Sequence, residues 1–210
     1  ERLLFPLNGD LFLYDLGDGK TRQLTSTEAG ETDPKFSSTG RYVSFIRDQD
    51  LYAIDLESFE ELRLTHDGGG LIRNGMAEFI AQEEMDRYTG YWWAPDDSAV
   101  AFIRVDESPV QVAERFEIYA EDFKVYEQRY PATGTPNVLV RLGVVAPDGK
   151  DLRWMDIGSE TDIYLPRVDW FPEANFLAVQ RQSRDQQTLD LMKVHARSGE
   201  SRVLLTETSD

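Results

Sequence analysis

Cysteine is absent from the 210 residues, and histidine occurs only twice, at His66 and His195. The first absence excludes disulfides and thiolate nucleophiles. The second leaves no pair of imidazoles at metal-ligand spacing, so neither metal nor cofactor is expected. Basic residues are also scarce: 22 Lys and Arg face 39 Asp and Glu, for a formal net charge of -17. Such a surface repels phosphate backbones and anionic lipid while accepting cationic ligands, so nucleic acid and membrane surfaces are not expected partners. No apolar run approaches the roughly 18 residues that suggest a membrane-spanning helix. The chain begins with Glu1 rather than Met, and a piece of a longer or processed protein is expected. A periplasmic or other extracytoplasmic location fits that start; the cytoplasm is the alternative, since a chain without cysteine suits either compartment.

What is present is the composition of a globular protein, 40% hydrophobic and 29% charged, in a chain long enough for a sizeable core. Three segments share one design: KFSSTGRYVSFIR ending at Arg47, WWAPDDSAVAFIR ending at Arg104, and DWFPEANFLAVQR ending at Arg181. In each, an aromatic residue (Phe36, Trp93, Trp170) stands eleven positions before the arginine. Turn residues follow it, and then an alternating apolar strand. A second element recurs as DLFLYDLGDGKTRQLT, DLYAIDLESFEELRLT and, more loosely, DLMKVHARSGESRVLL. The first two have identical spacing, Leu11 to Thr25 and Leu51 to Thr65, and each reads as strand, polar turn, strand.

Joined, the two elements make a four-stranded antiparallel unit recurring at intervals of 57 and 77 residues. That pattern predicts an all-β chain, an incomplete β-propeller of four-stranded antiparallel blades occupying residues 1–210. A β-sandwich with accidental internal similarity is the alternative. Two insertions break the rhythm. Residues of about 75–88 are rich in helix formers, with Met76, Phe79 and Ile80 at helical spacing, and predict one short helix. Residues of about 106–136 alternate like strands and then bend at proline and glycine, which predicts a protruding arm.

Little in the chain suits covalent catalysis. There is no cysteine, only two histidines are present, and no serine lies in a G-x-S-x-G turn, so nothing resembles a catalytic triad. His66 precedes Asp67 and the Gly68–Gly70 run, but no Lys-Ser or Lys-Thr follows, so a plain loop is expected. His195 is expected to be a surface residue of the last hairpin. The adjacent carboxylates Glu83 and Glu84 are the unusual feature. Neighbouring acids are too close to flank a glycosidic bond in the usual manner. Two convergent carboxylates do suit one ammonium group, which offers three hydrogens to charge-assisted bonds. The plain alternative is a solvated helix face.

The phrase AEFIAQEEMDRYTGYWWAPDDSAVAFIRVDES, Ala77 to Ser108, followed by RYPATGTPN, Arg129 to Asn137, resembles the propeller domain of the dipeptidyl peptidase IV family. These are prolyl oligopeptidase-type serine peptidases that include bacterial members. The resemblance implies that Glu83 and Glu84 bind the free α-amine of a peptide substrate. Dipeptides with proline or alanine second would then leave the N-terminus of the substrate. It also implies a catalytic α/β-hydrolase domain outside these residues, an arm at about 106–136 that contacts a partner subunit, and a homodimer. By the same resemblance this fragment alone is expected to be inactive. The family uses a propeller arginine on a substrate carbonyl; no residue here is assigned that role, and Arg2 is unsupported for it. A noncatalytic propeller serving as a protein-interaction module is the alternative function.

Overall fold

Alternation of apolar and polar residues, bounded by Asn, Asp and Gly turns, is what builds this chain into antiparallel sheets. The computed structural model describes residues 1–209. The first sheet runs β1 (Arg2–Leu7), β2 (Asp10–Asp15) and β3 (Lys20–Gln23); the second runs β4 (Thr32–Phe36), β5 (Tyr42–Arg47), β6 (Asp50–Asp55) and β7 (Glu61–Arg63). The third is interrupted. After β8 (Ile72–Asn74) come the helix α1 (Phe79–Glu84), β9 (Tyr91–Trp93) and β10 (Val100–Asp106). The chain then leaves the sheet as a separate hairpin, β11 (Val112–Ile118) with β12 (Phe123–Arg129), before β13 (Leu139–Val145) and β14 (Arg153–Trp154) complete it. In the fourth sheet β15 (Ile163–Tyr164) and β16 (Val168–Trp170) both pair with β17 (Phe176–Ser183), followed by β18 (Thr188–His195) and β19 (Ser201–Thr208).

The internal repeat has one structural meaning. Phe36 pairs with Val43, Trp93 with Val100 and Trp170 with Leu177, so each recurring aromatic ends the first strand of a hairpin in the same register. The matched Leu-to-Thr spacings also close identically. Leu11 N donates to Thr25 Oγ1 at 2.8 Å, and Leu51 N donates to Thr65 Oγ1 at 2.9 Å. Each threonine hydroxyl in turn donates to a buried carboxylate, Glu31 for Thr25 and Asp50 for Thr65. A backbone donor that would lie unpaired where the hairpin ends is thereby satisfied.

Successive sheets pack face to face, with one core layer between each neighbouring pair. Leu11 and Leu13 of the first sheet pack with Val43, Phe45 and Ile54 of the second. Leu51 and Ala53 meet Tyr91, Trp93 and Phe102 of the third, while Ile103, Leu142 and Val144 meet Val179, Met192 and Val194 of the fourth. This stacking explains the burial patterns. Strand β6 is buried at every residue because both its faces are covered, whereas β2 and β18 alternate because one face of each terminal sheet is open. Tertiary bonds lock the stack: Trp93 Nε1 donates to Ser44 Oγ at 2.8 Å, and Trp170 Nε1 donates to the Trp92 carbonyl at 2.9 Å. Among the described residues no helix is long and apolar enough to cross a membrane.

Candidate functional site

Helix α1 covers Phe79–Glu84, six residues inside the 75–88 stretch that composition marked as helical. Its limits have local causes. Gly75 has a left-handed φ of 72°, and Met76 bridges Thr89 as an isolated antiparallel pair, which holds the approach extended. A Cβ on Gly90 would lie 2.5 Å from Met76 backbone atoms, so this close return needs glycine. At the other end Asp86 adopts a φ of 50°, which stops the helix. Ala81 faces inward and is fully buried, while the Phe79 ring meets Tyr130 edge-on at 5.4 Å.

Glu83 and Glu84 occupy the last turn of α1, and both are exposed. Neither makes a side-chain hydrogen bond or ion pair among the described residues. Adjacent helical side chains diverge by about 100°. Accordingly Glu84 lines a cavity of about 730 Å3, and Glu83 is not among its lining residues. Ile80 and Tyr130 contribute apolar walls, and Tyr164, Asp162 and Arg184 come from the fourth sheet and its approach. Pro131, Thr133 and Gly134 line the same space. The two stretches that carried the resemblance, separated in the chain by the arm, therefore converge on one cavity.

The cavity is electronegative: its lining holds Glu84, Glu160, Asp162 and Asp185 against the single guanidinium of Arg184, which lies 3.9 Å from Asp162. Burial pushes the Tyr164 phenol upward, and the neighbouring Asp162 and Glu78 carboxylates reinforce that against the opposing Arg184 charge. Tyr164 is thus neutral at pH 7 and keeps its O–H. Such an arrangement can hold a cationic group near the rim and a flexible chain against its aromatic walls.

The loop bearing the glutamate pair is anchored on three sides. Arg87 and Glu78 form an ion pair at 2.6 Å with side chains 4% and 1% exposed. From the fourth sheet, Arg167 Nη1 donates to the Met85 carbonyl at 2.8 Å. From the second, Asp33 Oδ2 accepts from Thr89 Oγ1 at 2.6 Å, and Lys35 Nζ lies 3.2 Å from Asp33 and 3.7 Å from the Tyr91 ring centroid. Burial lowers the Lys35 ammonium from its ordinary value, and the Asp33 charge opposes that shift. None of these anchors is apparent in the sequence: Arg167 lies 82 residues from its partner, and no local period links Glu78 to Arg87.

The remaining sites considered from sequence fall elsewhere. His66 is exposed in its loop, where a Cβ on Gly68 would lie 2.3 Å from the Gln49 carbonyl oxygen, so packing accounts for that glycine. His195 ends β18, where its Nδ1 accepts from Ser198 N at 3.0 Å and its ring meets Phe176 edge-on. It borders a separate concavity of about 420 Å3 on the fourth sheet, which shares no lining residue with the cavity at Glu84. Arg2 pairs with Asp15 across the first hairpin at 3.4 Å.

Face-packed antiparallel sheets interrupted by a helix and a separate hairpin define a β-propeller region with two insertions. The family described as the dipeptidyl peptidase IV (DPP IV) N-terminal region matches residues 2–210, and the chain belongs to it. The fold matches that of Porphyromonas gingivalis dipeptidyl peptidase 4 with a TM-score of 0.86 at 24% identity, over 100% of this chain and 31% of that one. Dipeptidyl aminopeptidase B of Saccharomyces cerevisiae is 25% identical over 214 residues, 96% of this chain and 25% of the yeast protein. Human dipeptidyl peptidase 8 is 28% identical over 163 residues, 64% of this chain and 18% of the human protein. The chain thus spans about a fifth to a quarter of the length of these curated relatives.

Proposed function

We propose that this chain is the substrate-recognition part of a serine dipeptidyl peptidase. In this reading Glu83 and Glu84 bind the free α-amine of a peptide, and a catalytic α/β-hydrolase domain of the same protein cleaves after the second residue. The products are X-Pro or X-Ala dipeptides. One observation carries the proposal: within a chain of this family, Glu83 and Glu84 stand exposed and unpaired among the described residues at the end of α1, and Glu84 lines an electronegative cavity that Tyr130, Pro131, Thr133 and Gly134 also line. An unpaired carboxylate pair is free to take a ligand cation, and the charge-assisted bonds to an ammonium are about twice as strong as neutral ones.

The experiment is kinetic analysis of Glu83→Gln and Glu84→Gln in the full-length protein with a glycyl-prolyl anilide. Losing one partner of a charged pair costs about 2 to 5 kcal/mol. That corresponds to a fall in kcat/KM of about thirtyfold or more. Activity within about threefold of the parent in both variants would remove the proposal, since a loss of 2 kcal/mol cannot be that small.

The hairpin β11–β12 is included in the proposal as a homodimer contact. The pleat places Phe116, Ile118, Phe123 and Val125 on one face of it, and all four are exposed. An exposed apolar face on a two-stranded ribbon is the property expected of an association surface.

A further inference from the structure

Helix α1 has only six residues, too few to be stable by itself. It also lacks a side-chain N-cap: Glu78 sits at the N-cap position with extended φ and ψ, and its carboxylate makes no capping bond. That carboxylate turns instead to Arg87, nine residues on, and accepts from Nη2 at 2.6 Å. Arg87 also donates from its backbone N to the Ala81 carbonyl and from Nη1 to the Thr89 carbonyl, each at 2.9 Å. One guanidinium therefore ties the residue before the helix to the turn after it, and Glu83 and Glu84 lie inside the loop so closed.

The pair is poorly arranged for stability alone. Glu78 Oε1 and Arg87 Nε are both buried without a hydrogen-bond partner, so the contact is single rather than bidentate. Buried ion pairs with incomplete hydrogen bonding often stabilise a fold no better than apolar residues of similar volume. What such a pair does supply is direction, because the N–H and the carboxylate meet in one geometry. Arg167 adds an external fixing point on the Met85 carbonyl, immediately after Glu84.

We propose that Glu78 and Arg87, with Arg167 as outer anchor, are positioning residues that set the direction of the Glu83–Glu84 carboxylates. This rests on the amine-binding role given to that pair above. It predicts that loosening the strap weakens capture of the free amine while the protein stays folded. Displacement of a recognition group by about 1 Å costs on the order of a hundredfold. Loss of binding that is equal in ground and transition states raises KM and leaves kcat unchanged.

The test uses the full-length protein, a glycyl-prolyl anilide as substrate and a fluorophosphonate as an amine-independent reporter of the catalytic serine. In the double variant Glu78→Leu with Arg87→Met, apolar packing replaces the ion pair. The expected result is an unchanged melting temperature and fluorophosphonate labelling rate, with KM raised about ten- to a hundredfold. Arg87→Lys keeps a charge for Glu78 and is expected to recover part of the loss. Arg167→Ala removes an exposed side chain and is expected to raise KM without lowering the melting temperature. An unchanged KM in both the double variant and Arg167→Ala, or losses of labelling and melting temperature in step with KM, would overturn the inference. If Glu83→Gln and Glu84→Gln also leave KM unchanged, the amine-binding reading itself has failed. If those two variants lose activity while the strap variants do not, only the positioning role is refuted.

Discussion

The Trp93 indole lies parallel to the Tyr42 ring, with centroids 5.1 Å apart, and its N–H donates to Ser44 Oγ at 2.8 Å. One side chain of the third sheet thereby makes an aromatic and a polar contact with the second. Trp93 is 7% exposed, so its truncation leaves a cavity between two sheets. Trp93→Ala is expected to cost about 3 to 5 kcal/mol and Trp93→Phe about 1 kcal/mol, as measured by urea unfolding. Equal losses in the two variants would contradict the separate contributions of ring and N–H.

Asp50 should make the fold sensitive to acid. Burial opposes its ionisation, but hydrogen bonds from Arg63, Thr65, Asn74 and the Gly68 N–H together outweigh this and hold the carboxyl below its ordinary range. A carboxyl with a lowered folded pKa contributes stability that is fully present above its unfolded value, near pH 4. That contribution is lost as pH falls through the folded value. Unfolding free energy should therefore decline below about pH 4 in the parent. Asp50→Asn should be less stable at neutral pH by about 2 kcal/mol and show a flatter acid limb. Parallel pH profiles for the two proteins would exclude this assignment.

Acetylation of the substrate tests the proposed amine site from the ligand side. An N-acetylated Gly-Pro anilide carries no cation, so the full-length protein should hydrolyse it at least about thirtyfold less efficiently than the free amine. Comparable kcat/KM for both substrates would show that the carboxylates do not read the terminus.

The arm offers a test independent of catalysis. Phe116 and Phe123 have ring centroids 5.8 Å apart, and the two residues are 54% and 61% exposed. Phe116→Asp together with Ile118→Asp should shift the proposed homodimer of the full-length protein to monomer in analytical ultracentrifugation. The melting temperature of the sheets should change little, because the hairpin is a separate two-stranded sheet. A dimer of unchanged affinity would move the contact elsewhere.

The recurring hairpins were legible because their signals are local: turn residues bound each run, and pleating requires a two-residue alternation. The eleven-residue interval from Phe36, Trp93 or Trp170 to its arginine reflects one hairpin register used three times. Composition likewise located a helix near the glutamates and an insertion after Asp106, where β11 and β12 form a separate two-stranded sheet. Helix length was less legible. Propensity alone favoured residues 75–88, whereas the bridge between Met76 and Thr89 and the turn at Asp86 confine α1 to six residues. Tertiary structure also decided what surrounds Glu84, because Tyr130, Tyr164 and Arg184 reach it only after the third and fourth sheets pack together. The burial of Glu78 against Arg87, and the bond from Arg167 to Met85, arise in the same way. Such contacts follow no backbone period; they depend on where separate elements meet, and that is settled by the packing of whole sheets.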